Sequence, residues 1–163
     1  MGTRSVVAIP QGDSWKGRYV HWDGYPSGVG AALLEIRQAA YPDDLPGLIK
    51  MLTEDHWYWS TLSGPDGDNK VTSYPDDSRF VAVPGVGIAG TIEQAKPDEW
   101  INPEDDWGCE WCYVMTDAGI VVLEATRDGG HAMGMFGSNP NAKWKYVATV
   151  PWDADISVMG KLG

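Results

Sequence analysis

The sequence predicts a single α+β domain spanning residues 1–163, in which a mainly antiparallel sheet carries two helices from the N-terminal half on one face. Three observations lead to this fold class. The length of 163 residues fits one domain, and no linker-like segment divides the chain. Apolar residues make up 43% of the sequence, which is enough for a hydrophobic core. Segments with strand patterning lie towards both ends of the chain, with helical patterning between them.

The first two strands are predicted to form a β-hairpin. Arg4–Pro10 is rich in β-branched residues, Lys16–Asp23 alternates in part, and turn-forming residues separate the two segments. Side chains along a strand alternate between its two faces. Tyr19 and His21 are therefore expected to share a face.

Two helices are expected to follow this hairpin. Val29–Tyr41 has apolar residues at helical spacing, and Ser27 is a suitable N-cap for it. A shorter helix is predicted to run to about Glu54, with Asp44 as its cap and Pro46 in its first turn.

The rest of the chain is predicted to be mostly strand and loop. The pattern of Asp55–Leu62 fits either a helix or a strand, and Gly64–Lys70 is expected to be a loop. Thr91–Lys96 is expected to form one or two helical turns, and Trp100–Gly108 to be irregular. The further strands are predicted at Arg79–Pro84, Cys109–Thr116, Ile120–Ala125 and Lys145–Val150, the middle two forming a hairpin.

The charge pattern limits the class of partner. The formal net charge is −11, from 23 acidic and 12 basic residues, so the chain lacks the basic footprint that binding to a nucleic-acid backbone requires. No apolar run is long enough to span a membrane, and no signal-peptide pattern is present. We therefore expect a cytoplasmic protein that does not bind a membrane. Nine tryptophans are present, a residue type favoured at binding surfaces.

Two motif-like patterns lack the context that their chemistry needs. Cys109 and Cys112 have the spacing of a CxxC motif, but they fall in a predicted strand, where positions three apart face opposite sides. No second pair of ligands completes a zinc site, so we expect neither a metal nor a cofactor. Gly85–Gly90 has the glycine spacing of a dinucleotide-binding loop, yet Pro97 ends the next helix too soon for a βαβ unit.

The loop His21–Pro26 and the helix start after it form the most concentrated group of candidate binding residues. Helix N-termini offer unpaired N–H groups and a partial positive charge, which suit an anion. An aromatic ring of the loop could stack on a planar group, and an arginine of the first hairpin could add positive charge. The candidate ligand-binding residues are Arg4, Arg18, His21, Trp22, Asp23, Tyr25, Ser27, Gly28 and Gly30. The alternative is a tight strand-to-helix turn with a purely structural role.

The same segments carry a resemblance to a known group of proteins. Gly2–Ser5 (GTRS), Tyr19–Pro26 (YVHWDGYP) and Gly28–Gly30 resemble a family of small bacteriophage and bacterial proteins, many of which begin GTRS and carry a WDGYP loop. The match is looser at Trp107–Tyr113, where relatives have an aromatic strand of the form W-x-E-Y-x-Y. The resemblance implies a phage or phage-like source. It implies no mechanism.

Three functions remain open at this point. The working hypothesis is a non-enzymatic binding protein of phage type, whose ligand is a small nucleotide-like anion or a host protein, for example in counter-defence. The first alternative is a small hydrolase or transferase with Asp23 and His21 as acid and base. The second alternative is a structural or protein-interaction module, in which an acidic, tryptophan-rich surface meets a partner.

Overall fold

The computed structural model describes residues 3–64, 80–83, 87–90, 96–105, 107–125 and 144–162. The loop predicted at Gly64–Lys70 and the helical turns predicted at Thr91–Lys96 fall almost entirely outside these residues. None of the helices within the described ranges is long and apolar enough to cross a membrane.

The strands of the described residues form one eight-stranded sheet in the order β4-β5-β3-β2-β1-β6-β7-β8. Five of the seven neighbouring pairs are antiparallel, while β1–β6 and β2–β3 are parallel. The α+β class is therefore confirmed for a mixed sheet, not a purely antiparallel one. The strands are β1 (Ser5–Gln11), β2 (Ser14–Val20), β3 (Tyr58–Trp59), β4 (Phe80–Val83), β5 (Gly87–Gly90), β6 (Trp111–Thr116), β7 (Gly119–Ala125) and β8 (Trp144–Val150).

Local patterning located six of these eight strands, all except β3 and β5. Both predicted hairpins form, as β1–β2 and β6–β7, and the predicted strands at β4 and β8 are also present. The open segment Asp55–Leu62 contains only the two-residue strand β3. The glycine motif does not open a βαβ unit, because its described part is strand β5, which pairs antiparallel with β4.

Five helical segments lie within the described residues. A π-helical turn, Pro26–Gly30, leads into α1 (Ala31–Ala40), and α2 (Leu45–Ile49) continues into a second π-helical turn, Lys50–Glu54. The fifth segment is a C-terminal 3-10 helix, Ile156–Lys161. Both predicted helices of the N-terminal half are therefore present.

The two helix starts differ from each other. Asp44 caps α2 as predicted, since its Oδ1 accepts a hydrogen bond from the backbone N–H of Gly47 at 3.0 Å. The prediction that Ser27 is an N-cap is wrong. Ser27 lies inside the first π-helical turn, and no side chain caps that turn.

Both faces of the sheet carry a buried apolar cluster. The helices pack on one face, where Leu33 and Leu52 meet Trp59. On the opposite face a second cluster includes Tyr19 and Trp144. The irregular segment 100–105 and 107–109 contributes Ile101 and Cys109 to this second cluster and pairs with β2 through Gly17 and Ile101. A sheet buried on both faces cannot show the simple alternation of apolar and polar residues.

Candidate functional site

The loop His21–Pro26 continues the direction of β2 for two residues before it turns. The backbone N–H of His21 donates to the carbonyl of Trp59, and that of Trp22 donates to the carbonyl of Ser60, both at 2.9 Å. These bonds extend the pairing of β2 beside β3, so the imidazole and the indole stand on a fixed backbone.

Gly24 ties the tip of the loop to the rest of the fold. Its N–H donates to the carbonyl of Thr3 at 2.8 Å, and its own carbonyl accepts a hydrogen bond from the buried phenol of Tyr113 at 2.5 Å. Burial raises the pKa of Tyr113 well above its usual value, so the phenol stays a neutral donor. The loop is therefore held by strand β6 as well as by its own turn.

Removing this phenol hydroxyl should loosen the loop. Tyr113→Phe leaves the Gly24 carbonyl without its donor, and we expect the free energy of unfolding to fall by about 1–2 kcal/mol. Urea denaturation measures this loss, and hydrogen exchange of the Gly24 amide should become faster. Tyr146→Phe is the control, because the hydroxyl of Tyr146 bonds to that of Thr149 in an exposed contact. Equal unfolding curves for both variants would contradict the assigned role.

The two candidate catalytic residues do not pair with each other. The phenol of Tyr25 donates to Oδ1 of Asp23 at 3.1 Å, whereas Nδ1 of His21 lies 2.8 Å from the hydroxyl of Tyr19. Among the described residues no hydrogen bond joins His21 to Asp23. Asp23 also adopts a positive φ of 57°, which turns the chain out of the strand and away from the face that His21 shares with Tyr19.

The backbone N–H groups at the helix start already donate to carbonyls of the loop, so they are not available to a ligand. The N–H of Gly28 donates to the carbonyl of Tyr25, and the N–H of Val29 donates to the carbonyl of Asp23, both at 2.9 Å. A Cβ at Gly28 would lie 2.1 Å from that Asp23 oxygen. Gly30 is buried, and a Cβ there would lie 3.0 Å from a methionine sulfur of the 3-10 helix. Both glycines therefore permit close packing, while Ser27 is exposed beside them.

Arg18 lies away from the loop and is almost fully buried. Its guanidinium donates to the backbone carbonyls of Thr53, Pro97 and Glu99 at 2.8, 2.8 and 2.7 Å and stacks 3.5 Å from the ring centre of Trp100. Burial lowers the pKa of Arg18 to about 10, so the side chain stays charged at neutral pH. Arg18 thus links strand β2 to the π-helical turn that contains Thr53 and to the segment 97–99.

A group of side chains around Tyr19 forms what we term the aromatic platform. The ring centroid of Tyr19 lies 5.0 Å from that of Tyr58, 5.5 Å from that of Trp107 and 5.7 Å from that of His21. The rings of His21 and Trp22 meet edge to face at 4.5 Å. These distances are typical of favourable aromatic pairs. The aromatic platform comprises Arg4, Tyr19, His21, Trp22, Tyr58 and Trp107.

Arg4 supplies the positive charge of the aromatic platform. Its side chain is exposed, and no carboxylate of the described residues forms an ion pair with it. Burial lowers the pKa of His21, and the nearby Arg4 charge lowers it further. Arg4 is held here because its carbonyl accepts the N–H of Glu110 at 2.9 Å, which places the residue preceding β1 beside the residue preceding β6.

The backbone under Trp107 is strained. Trp107 has a φ of 56° and Gly108 a φ of 76°, and the left-handed region costs a bulky residue about 1–3 kcal/mol. Such strain persists where the surrounding structure enforces it, and it is concentrated at functional sites. Here it directs the indole of Trp107 against the ring of Tyr19.

The two cysteines lie in one cluster, contrary to the prediction that they face opposite sides. Both are buried and reduced, on the face of the sheet that includes Tyr19. The prediction was wrong because β6 begins only at Trp111, so Cys109 is outside the strand and its alternation. Burial raises the pKa of Cys112, which disfavours a reactive thiolate. No cluster of metal ligands is present in the described part of the chain.

An open cleft of about 440 Å³ lies at the opposite end of α1 from the loop. Trp152 forms part of its wall, and the indole N–H of Trp152 is held by the carbonyl of Thr116 at 2.6 Å. None of the candidate binding residues lines this cleft. Its lining residues are Arg37, Gln38, Pro42, Asp43, Asp117, Ala118, Pro151, Trp152 and Asp153.

No family model, no curated protein and no solved structure matches the chain. The site therefore has to be interpreted from its own geometry.

Of the nine candidate residues, the structure brings three together in the aromatic platform: Arg4, His21 and Trp22. Sequence reasoning missed Tyr19, Tyr58 and Trp107 as binding residues, although it placed Tyr19 on the same strand face as His21. A signal for Tyr58 was present, because the segment 56–59 (HWYW) contains three adjacent aromatic side chains after a histidine. The role of Trp107 had no such signal, since it depends on a backbone conformation.

Proposed function

We propose that this protein is a non-enzymatic binding protein, and that its aromatic platform binds a small planar anion of the nucleotide type. The observation that carries this proposal is that the charge of the exposed Arg4 acts on the imidazole of His21, and that the same imidazole meets the exposed indole of Trp22 edge to face. Such a combination suits a ligand with a flat apolar part and a negative group.

Each part of the ligand has a matching group in the aromatic platform. Trp22 is 43% exposed, so its ring can stack on a base, a contact worth about 1–3 kcal/mol. The Arg4 guanidinium can form charge-assisted hydrogen bonds with a phosphate. The buried Tyr19 contacts Nδ1 of His21 through its hydroxyl and so restrains rotation of the imidazole.

The net charge of −11 does not exclude an anionic ligand, because most of its repulsion acts over long distances, where salt screens it. At physiological ionic strength charges separated by more than about 8 Å are largely screened. Arg4 is therefore the positive charge that a ligand on the aromatic platform meets first.

Calorimetric titration tests the proposal with adenosine, adenosine monophosphate and cyclic adenosine monophosphate. Trp22→Ala should weaken binding of all three by about tenfold to hundredfold, because the stacking contact is lost. Arg4→Gln should weaken binding of the two phosphates and leave adenosine unchanged. The controls are Tyr146→Ala, an aromatic truncation on β8, and Lys50→Gln, which removes a remote exposed cation. Absence of heat for every ligand with the unmodified protein would overturn the proposal.

A host protein is the second candidate partner, and one observation favours it. Trp22 and Tyr25 are the large hydrophobic side chains that are exposed in the described chain, at 43% and 39%, and both lie on one anchored loop. Exposed Trp and Tyr are frequent interface hot spots. Tyr25→Ala separates the two candidates, since it should weaken a protein complex but leave nucleotide binding unchanged.

The hydrolase alternative has less support. It needs His21 and Asp23 to act on one substrate, but each is hydrogen-bonded to a different tyrosine. The phage resemblance supports the binding proposal only by suggesting that the ligand or partner belongs to the host cell.

A further inference from the structure

His21 is the member of the aromatic platform that can change charge near neutral pH. Burial raises the pKa of Tyr19 to about 12 and also raises that of Tyr58, so both phenols stay neutral. An imidazole, in contrast, titrates between about pH 5 and pH 8.

The contacts of His21 accommodate both of its charge states. Nδ1 lies 2.8 Å from the hydroxyl of Tyr19, which can donate to a neutral imidazole or accept from a protonated one. The other ring nitrogen, Nε2, has no hydrogen-bond partner within the described residues. A protonated His21 would therefore donate one N–H to the Tyr19 hydroxyl and keep its other N–H available for a ligand.

We infer that the aromatic platform binds its anionic ligand together with one proton, which His21 takes up from solvent. In the complex Nδ1–H donates to the Tyr19 hydroxyl, and Nε2–H donates to the anionic group of the ligand beside Arg4. The N–H bond that His21 gains replaces the bond to hydrogen that the hydronium ion or buffer acid loses, and no other covalent bond is made or broken. This inference rests on the proposed function and adds to it the protonation state of the site.

The direction of the pH dependence follows from the surroundings of His21. In the free protein, burial first and then the Arg4 charge lower the pKa of His21 below its usual value, so the imidazole is neutral at pH 7. A bound anion offsets both effects and favours the imidazolium. By linkage the anion then binds more tightly as the pH falls. Arg4 and Tyr19 act on His21 directly, Tyr58 and Cys109 lie around Tyr19, and Asp23, two residues along the chain, is bonded to Tyr25.

Calorimetry with cyclic adenosine monophosphate tests this inference, because the charge of its phosphodiester is constant across the relevant pH range. Coupling between sites is commonly 5- to 150-fold, and we expect affinity to rise by about tenfold from about pH 7.5 to about pH 5.5. Titrations in two buffers with different ionisation enthalpies should show proton uptake. His21→Gln should bind with no pH dependence. His56→Gln is the matched control, since His56 contacts Trp59 elsewhere and should behave as the unmodified protein.

The possible failures are distinguishable. Equal affinity at both pH values would overturn the inference and leave the proposed function standing. A pH dependence that survives in His21→Gln would also overturn it, since another group would then take up the proton. No binding at either pH would overturn the proposed function and this inference together.

Discussion

Replacing Arg18 by methionine is expected to lower the free energy of unfolding by about 3 kcal/mol. The substitution keeps an apolar stem of similar length but removes the donors that satisfy three backbone carbonyls, together with the stacking on Trp100. For a chain of 163 residues this loss corresponds to a fall in Tm of roughly 6–12 °C. Because total stabilities are only about 5–15 kcal/mol, such a loss is large.

The control for this prediction is Lys50→Met, which removes a cation of a different kind. Lys50 forms an ion pair with Asp55 at 2.8 Å, but the two side chains are 63% and 45% exposed. Exposed ion pairs contribute about 0–1 kcal/mol, so this variant should melt close to the unmodified protein. Paired denaturation curves measure both effects. If the two variants lost equal stability, Arg18 would not be the structural link described here.

Gly28→Ala is expected to have the second large effect, of about 2 kcal/mol in the free energy of unfolding. The added Cβ would lie 2.1 Å from the carbonyl oxygen of Asp23, which is backbone and also accepts the N–H of Val29. The loop must therefore move away from the helix start and lose that hydrogen bond. We also expect weaker ligand binding, because Asp23, which the added Cβ would displace, directly follows Trp22 in the chain.

Gly160→Ala is the matched control for the same chemical change. Gly160 also lies in a helical segment, yet a Cβ there would meet no atom within 4 Å. Such an exposed site should change stability by less than about 0.5 kcal/mol. Denaturant midpoints for the two alanine variants give the comparison, and a Gly28→Ala midpoint equal to that of Gly160→Ala would contradict the predicted clash.

Much of the local structure was predictable because its causes are local. Alternation and turn residues located both hairpins, and the cap of α2 followed from Asp44 and Pro46. The cap predicted at Ser27 was wrong because backbone carbonyls satisfy the first N–H groups of that helix, and no sequence pattern reports which acceptor is nearest.

The candidate site was only partly predictable. Sequence reasoning located the loop His21–Pro26 and assigned the positive charge of the site to the helix start, to Arg4 and to Arg18. The structure closes that helix start with its own loop and buries Arg18 under Trp100. Arg4 lies close enough to His21 to lower the pKa of its imidazole, and Tyr58 joins them through the parallel pairing of β2 and β3.

By itself the sequence determined the α+β class, the positions of most strands and helices, and the segment that carries the exposed aromatic rings. These features depend on residues near one another in the chain. Only the tertiary structure decided that the sheet is mixed, that both its faces are buried, and that Trp107 packs on Tyr19. The physical reason is that each of these depends on pairing between distant segments, such as β1 with β6, whose partners local patterning does not specify.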